Sequence, residues 1–228
     1  MQAFADLQIP KNMDKGDRKA VVEMLGLSSS MKLLGDPYPL GGYSGVEVGI
    51  ASEVIATEEL SRLGNKAPSS NETNYSLLTL GKGLYNNLDI FVQFTPFSQK
   101  EDLTNFGGML RWGFYQAEYM PAHLSLVAYA NSMSYQNKIT CSSLGYDLVA
   151  GFSVEDVTLY TGFGLVKSQA TFIGGADGVT DSGITEREDT QQAHYLAGLS
   201  LKFSKIFFAA QLDRYTEATY SAKLGYRF

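Results

Sequence analysis

The chain has no apolar run approaching the roughly 20 residues that a membrane-spanning helix requires. If it crosses a bilayer it must do so as a closed barrel, because lipid leaves open sheet edges unsatisfied. Proline is scarce, at 6 of 228 residues, and there are only 2 histidines and 1 cysteine. The lone Cys141 excludes an intrachain disulfide and lies too far from the N-terminus to carry a lipoprotein anchor, so a buried, inert thiol is expected. Positive charge is in deficit: 18 Lys and Arg face 24 Asp and Glu, and a net charge of −6 argues against nucleic-acid binding. Zinc-ligand spacing, a phosphate-binding glycine loop and a nucleophile elbow are all lacking. What the chain does have is 14 Tyr, 13 Phe and 23 Gly, a composition of many strands joined by tight turns.

From Tyr43 onward, alternation predicts about ten strands, over 43–56, 74–85, 88–97, 105–117, 122–135, 139–153, 157–172, 192–204, 206–215 and 218–228. Their connections alternate in kind. Asn86-Asn87, Glu118 to Pro121, Val154-Glu155-Asp156 and Ser204-Lys205 are tight, whereas 57–73 and 173–191 are long and polar. A soluble β-sandwich with one buried face would give similar alternation.

The C-terminus separates the two. In Tyr220 to Phe228, Tyr220, Ala222, Leu224, Tyr226 and Phe228 alternate with Ser221, Lys223, Gly225 and Arg227, and the sequence stops on the aromatic. One face of that strand is therefore apolar and the other polar. The pattern resembles the terminal-phenylalanine signature of bacterial outer-membrane β-barrel proteins, and 43–228 as a whole resembles the small porin-like barrels of that group. The resemblance implies an all-β, antiparallel up-and-down transmembrane barrel in the outer membrane of a Gram-negative cell. It also implies outer-membrane lipids and the barrel-assembly machinery as partners, the latter through the C-terminal strand, and both termini in the periplasm.

On that barrel, Leu88, Ile90, Val92 and Phe94, Leu110 and Phe114, and Leu144, Tyr146, Leu148 and Phe152 should face lipid, with Leu199, Leu201 and Phe203. Tyr75, Trp112, Tyr195, Tyr220, Tyr226 and Phe228 fall near strand ends, where aromatic rings favour the membrane interface. The opposite face carries Glu47, Glu53, Asp89, Asp147 and Asp213 with Lys82, Arg111, Lys202, Lys223 and Arg227. Acids and bases in equal number inside a narrow barrel should pair and fill the lumen, which disfavours a wide pore. Outward Ala197, Ala210 and Ala222, and separately Ala128 and Ala130, form small-residue patches that are candidate contacts in a homo-oligomer.

Residues 1–42 form a separate N-terminal arm, and 43–228 the barrel. Ala3-Phe4-Ala5 has the small-x-small pattern of a secretory cleavage site, so 1–5 read as a signal-peptide remnant or as added residues. Asp14 or Asp17 can cap a short helix that aligns Val21, Val22 and Leu25. Gly35 to Gly42 is a linker by composition. The arm could cap the periplasmic mouth, enter the lumen in part, touch a neighbouring subunit or dock loosely.

Catalytic patterns are thin. His123-Leu124-Ser125 has the His-x-Ser of outer-membrane lipid A deacylases, but Asn137 stands where that family needs an acid. His194 should lie at the extracellular end of its strand near Glu188 and Asp189, with Asp189 and Asp213 the conceivable partners for an omptin-like protease. Asp177, Asp181, Glu186, Glu188 and Asp189 lack calcium-loop spacing. The expectation is a non-enzymatic barrel without cofactor, metal or catalytic residues. Its role would be structural and lipid-organising; the alternatives are a narrow channel or a surface receptor.

Overall fold

A computed structural model describes residues 9–66, 72–96 and 103–228. Ten antiparallel strands close into one barrel: β1 Val46–Ala56, β2 Glu72–Gly83, β3 Leu88–Phe94, β4 Leu103–Gln116, β5 Ala122–Tyr135, β6 Ile139–Val154, β7 Val157–Phe172, β8 Glu186–Phe203, β9 Ile206–Arg214 and β10 Ala218–Arg227. Each strand pairs with its neighbour in sequence, and β1 closes on β10 with Glu47 opposite Arg227 and Ile55 opposite Thr219. None of the described helices is long and apolar enough to cross a membrane. The crossing elements are the strands.

The turns follow from local chemistry. Asn86 and Asn87 both take positive φ, at 57° and 58°, the geometry that lets a two-residue hairpin follow the strand twist. Four tight turns, around 84–87, 117–121, 155–156 and 204–205, share one end of the barrel with the C-terminus. The longer β1–β2, β3–β4 and β7–β8 connections share the other. The end of strand 88–97 and the 98–104 link fall partly outside the described residues.

The face assignment holds along most of the wall. Ile90, Leu110, Trp112, Phe114, Leu144, Tyr146, Leu148, Phe152, Tyr195 and Phe203 are exposed on the outside. Three expectations change. Strand β8 begins at Glu186, because its polar first turn still pairs with β7 as far as Phe172 opposite Glu186. Tyr75 is buried in the lumen, where its hydroxyl reaches Glu53, instead of lying in the interface. Lys82 is exposed on the outer face, on the same parity as Leu78 and Leu80, and its ammonium bonds the Tyr43 carbonyl at the rim. A long cation next to the membrane boundary can lie along the apolar wall and still keep its charge wet.

The arm is inside. Helix α1 (Lys15–Val21) is capped by Asp14, whose carboxylate accepts from the Asp17 amide at 2.8 Å while Asp17 reciprocates. It runs into a π-helical turn, Val22–Leu27, and then into irregular backbone. Every residue from Val21 to Leu34 is buried except Glu23, which is half-buried. Two apolar clusters line the lumen around it. One gathers Val21, Val22 and Leu25 against Ile55, Leu77, Met133 and Phe172; the other gathers Leu27, Met31 and Leu33 against Phe91, Val127 and Val149.

The plug runs in one direction through the lumen. Met13 bridges Thr180 in the β7–β8 connection, at the long-loop end, whereas Leu40 and Tyr43 reach the short-turn end just before β1. The described chain therefore starts at one end of the barrel and finishes at the other. The arm traverses the full lumen before the first strand; the expectation for the N-terminus, like the 1–5 segment, falls on residues 1–8, which lie outside the described residues.

Candidate functional site in the plugged lumen

Inside a membrane-spanning wall, irregular backbone is tolerated only when protein satisfies its polar groups. The wall does this for Ser28 to Leu34. The Asn131 and Asn105 amides donate to the Ser29 carbonyl at 2.7 and 3.3 Å, and the Leu34 amide donates to Gln211 Oε1 at 3.0 Å. Lys32 folds back on the Ser30 carbonyl at 2.9 Å and pairs with Glu53 at 2.7 Å, both side chains fully buried. Gly26 is required for the fit: a Cβ there would stand 2.3 Å from Ser168 Oγ on β7.

Each end of the plug has its own anchor. At the long-loop end Arg18 bonds the Met13 carbonyl at 2.8 Å and pairs with Asp181 at 3.1 Å, Glu188 at 3.2 Å and Glu186. Three of the five acids of the 173–191 region that lacked calcium spacing, Asp181, Glu186 and Glu188, thus hold the arm. At the short-turn end Arg111 pairs with Asp89 at 2.8 Å and bonds the Asp36 carbonyl, Asp89 accepts from the Leu40 amide at 3.2 Å, and Ser125 donates to the Pro37 carbonyl at 2.7 Å. Glu47 joins Lys223 at 2.6 Å and Arg227 at 2.8 Å, with Phe207 beneath the two cations.

Asp36 shows how the polar anchor works. Burial opposes its charge, but the adjacent His123 ring, the Tyr38 amide and the nearby Arg227 outweigh that, and its carboxyl is held below the ordinary value of 3.8. His123 is 3.5 Å from this carboxylate and edge-on to Tyr38. Ser125 points to Pro37 and not to His123, so the His-x-Ser spacing forms no nucleophile pair here.

Among the described residues, a dense constellation of chemically active groups lies deeper. His194 sits in mid-lumen and not at the extracellular strand end, because β8 starts earlier than its polarity suggested. Its Nδ1 is 2.8 Å from Asp147, its Nε2 is 2.9 Å from Asp213, and Tyr215 stacks on the ring at 4.4 Å. Tyr129 meets the ring edge, and Gln211 donates to Asp213 at 2.7 Å. Two wall glycines make room: Tyr129 lies across Gly145 and Tyr160 across Gly198, each directly opposite on the next strand. Both ring nitrogens are committed to carboxylates, and the ring is fully buried.

Of the ten expected lumen charges, Glu47, Glu53, Asp89, Arg111, Asp147, Asp213 and Lys223 are buried, and Arg227 is half-buried. Lys202 keeps inward parity with buried Ser200 but is exposed at the short-turn rim, and Lys82 is outside. Arg18 and Lys32, which complete the pairing from the arm, carried no strand alternation and were not among those ten. Among the described residues no group of three or more His, Cys, Asp or Glu side chains is placed to hold a metal.

On the outer wall, Trp112, Tyr226 and Phe228 lie toward the short-turn end, and Tyr195 and Tyr220 toward the other. Ala222 stands directly opposite Ala210, and Ala197 opposite Leu212, so the three alanines form a step and not one row. A shallow open depression runs over Ala197, Ala210, Leu199, Leu212 and Tyr220. Ala128 and Ala130 are exposed on β5.

No protein-family model matches the chain, and no curated protein matches it. Solved structures similar to it are outer-membrane proteins. The N-terminal β-barrel domain of OprF from Pseudomonas aeruginosa is 14% identical, over 82% of this chain and 99% of that one, with a TM-score of 0.41. The outer-membrane protease OmpT of Escherichia coli is 10% identical, over 81% and 96%, with a TM-score of 0.40. The attachment invasion locus protein Ail of Yersinia pestis is 15% identical, over 81% and 97%, with a TM-score of 0.34. The likeness is one of barrel type, and any role must be argued from this chain's own residues.

Proposed function

We propose that this protein is a non-enzymatic structural barrel of the outer membrane, closed to bulk solutes, that works through its outer wall against lipid and further copies of itself. The observation that carries this reading is the burial of Val21 to Leu34, Glu23 in part, inside the barrel, with Arg18 and Lys32 of the plug ion-paired to the wall and Arg111 and Asp89 of the wall bonded to its backbone. A lumen filled by the protein's own chain supports neither wide diffusion nor a substrate cleft. The long-loop end, in this reading, faces the outside. The depression over Ala197 and Ala210 supports close approach of an acyl chain or a second barrel.

Two measurements test it. In planar bilayers the purified protein should give no steady conductance, and open channels of constant size at low voltage would favour the narrow-channel alternative. Native mass spectrometry in mild detergent should show a multimer carrying lipid. Replacing Ala210 by Trp should shift that population toward monomer, whereas a lipid-free monomer in the unaltered protein would sink the structural role.

A further inference from the structure

Buried polar atoms in proteins almost always find a partner, so a cluster of them without one marks a place where something else binds. Among the described residues nine buried side-chain nitrogen or oxygen atoms lack a protein partner. Six of the nine belong to one region of the lumen: Glu53 Oε1, Asp213 Oδ2, and the hydroxyls of Tyr215, Thr219, Ser221 and Ser28. Register brings the wall residues together. Ser221 lies directly opposite Glu53, and Thr219 directly opposite Asp213, on the inner face where β1, β10 and β9 adjoin. Tyr215 is within electrostatic reach of both carboxylates. Ser28 enters from the plug, where its carbonyl accepts from the same Lys32 ammonium that pairs with Glu53.

All six atoms are oxygens, the donor set of a hard cation, and none is a nitrogen or sulfur that would select a transition metal. Charge points the same way. Ionised carboxylates only accept, so His194 can hold Asp147 and Asp213 together only as a doubly protonated imidazolium. These three groups then sum to −1, while Glu53 is balanced by Lys32. One negative charge is left over locally, next to the unpartnered oxygen of Asp213; the matching positive surplus of the lumen sits at Glu47, shared by Lys223 and Arg227 further along β10, so a cation bound here would balance the charge where it arises. We infer that the junction of β1, β9 and β10 binds one monovalent alkali cation, held by Glu53, Asp213 and the hydroxyls of Thr219, Ser221, Tyr215 and Ser28. The ion joins plug to wall, since its ligands come from both.

The test is thermal unfolding of the refolded, full-length protein in detergent, with chloride salts of sodium, potassium and choline at equal ionic strength. Sodium or potassium should raise the midpoint over choline by about 5 °C, saturating with concentration as a specific ligand does. Thr219→Val combined with Ser221→Ala should abolish the difference, and so should Asp213→Asn, which removes the surplus charge. Coincident midpoints in all three salts would mean that water alone serves these oxygens, and the proposal would fall. A sodium effect that survives both variants would put the ion elsewhere and overturn the site. Should neither variant fold, crystals of the unaltered protein grown with thallium(I) decide: an anomalous peak between Asp213 and Glu53 is expected, and its absence overturns the site.

Discussion

The two ends of the plug are fastened by opposite kinds of force. Toward the short turns buried charges of the wall grip the plug's backbone: Arg111, paired with Asp89, bonds the Asp36 carbonyl, and Asp89 accepts from the Leu40 amide. Toward the long loops the arm is seated by Val21, Val22 and Leu25 in an apolar cluster. Arg18 there meets acids whose side chains are 49%, 24% and 13% exposed. The difference teaches where the plug can yield. Truncating an apolar contact leaves a smaller contact, whereas removing one member of a buried ion pair leaves a bare charge. The short-turn end is therefore an all-or-none lock, and the long-loop end a graded one.

The sharpest test of that contrast is Arg111→Met. It strands Asp89 and frees the Asp36 carbonyl, and urea titration in detergent should register a loss of about 3–5 kcal/mol, the usual penalty for breaking a buried pair. Leu25→Ala, at the other end, should cost less, about 2–3 kcal/mol, because cavity and transfer terms accrue without an unpaired charge. If Leu25→Ala proves the more damaging of the two, the apolar seat and not the charge lock holds the plug. Arg18→Gln comes third. Water can take over part of the role of its partly exposed acids, so a loss of about 1 kcal/mol is expected. Its effect should shrink further in high salt, unlike that of Arg111→Met.

The barrel was legible because strand alternation and terminal aromatics are repeated in every hairpin, so one misjudged phase, as at Lys82, does not disturb the rest. The plug was legible only in part. Val21, Val22 and Leu25 show a helical face because one side of α1 meets the wall. Ser28-Ser29-Ser30 and Met31 to Leu34 are surrounded on all sides, so no period distinguishes an inner face from an outer one, and the stretch reads as a broken linker. The His194 clamp was hidden for another reason. Asp147 and Asp213 stand 47 and 19 residues away, and only barrel closure brings them to the same ring. Tyr75 was misplaced because an aromatic near a strand end looks the same whether it turns to lipid or to the lumen.

The smallest expected effect concerns pH and separates the two ends again. Asp36 has its carboxyl held below its ordinary value in the folded protein, by His123, the Tyr38 amide and Arg227 acting against burial. Its stabilising contribution is thus fully present above the unfolded value of 3.8 and fades as pH falls through the lower, folded value. Acidification below about pH 4 should loosen the short-turn end before it disturbs the apolar seat around Leu25. Hydrogen exchange of the 35–41 amides, followed against those of α1, would show it. In Asp36→Asn the acid-dependent rise in exchange at 35–41 should flatten. Retention of the full rise in that variant would show that Asp36 does not carry it.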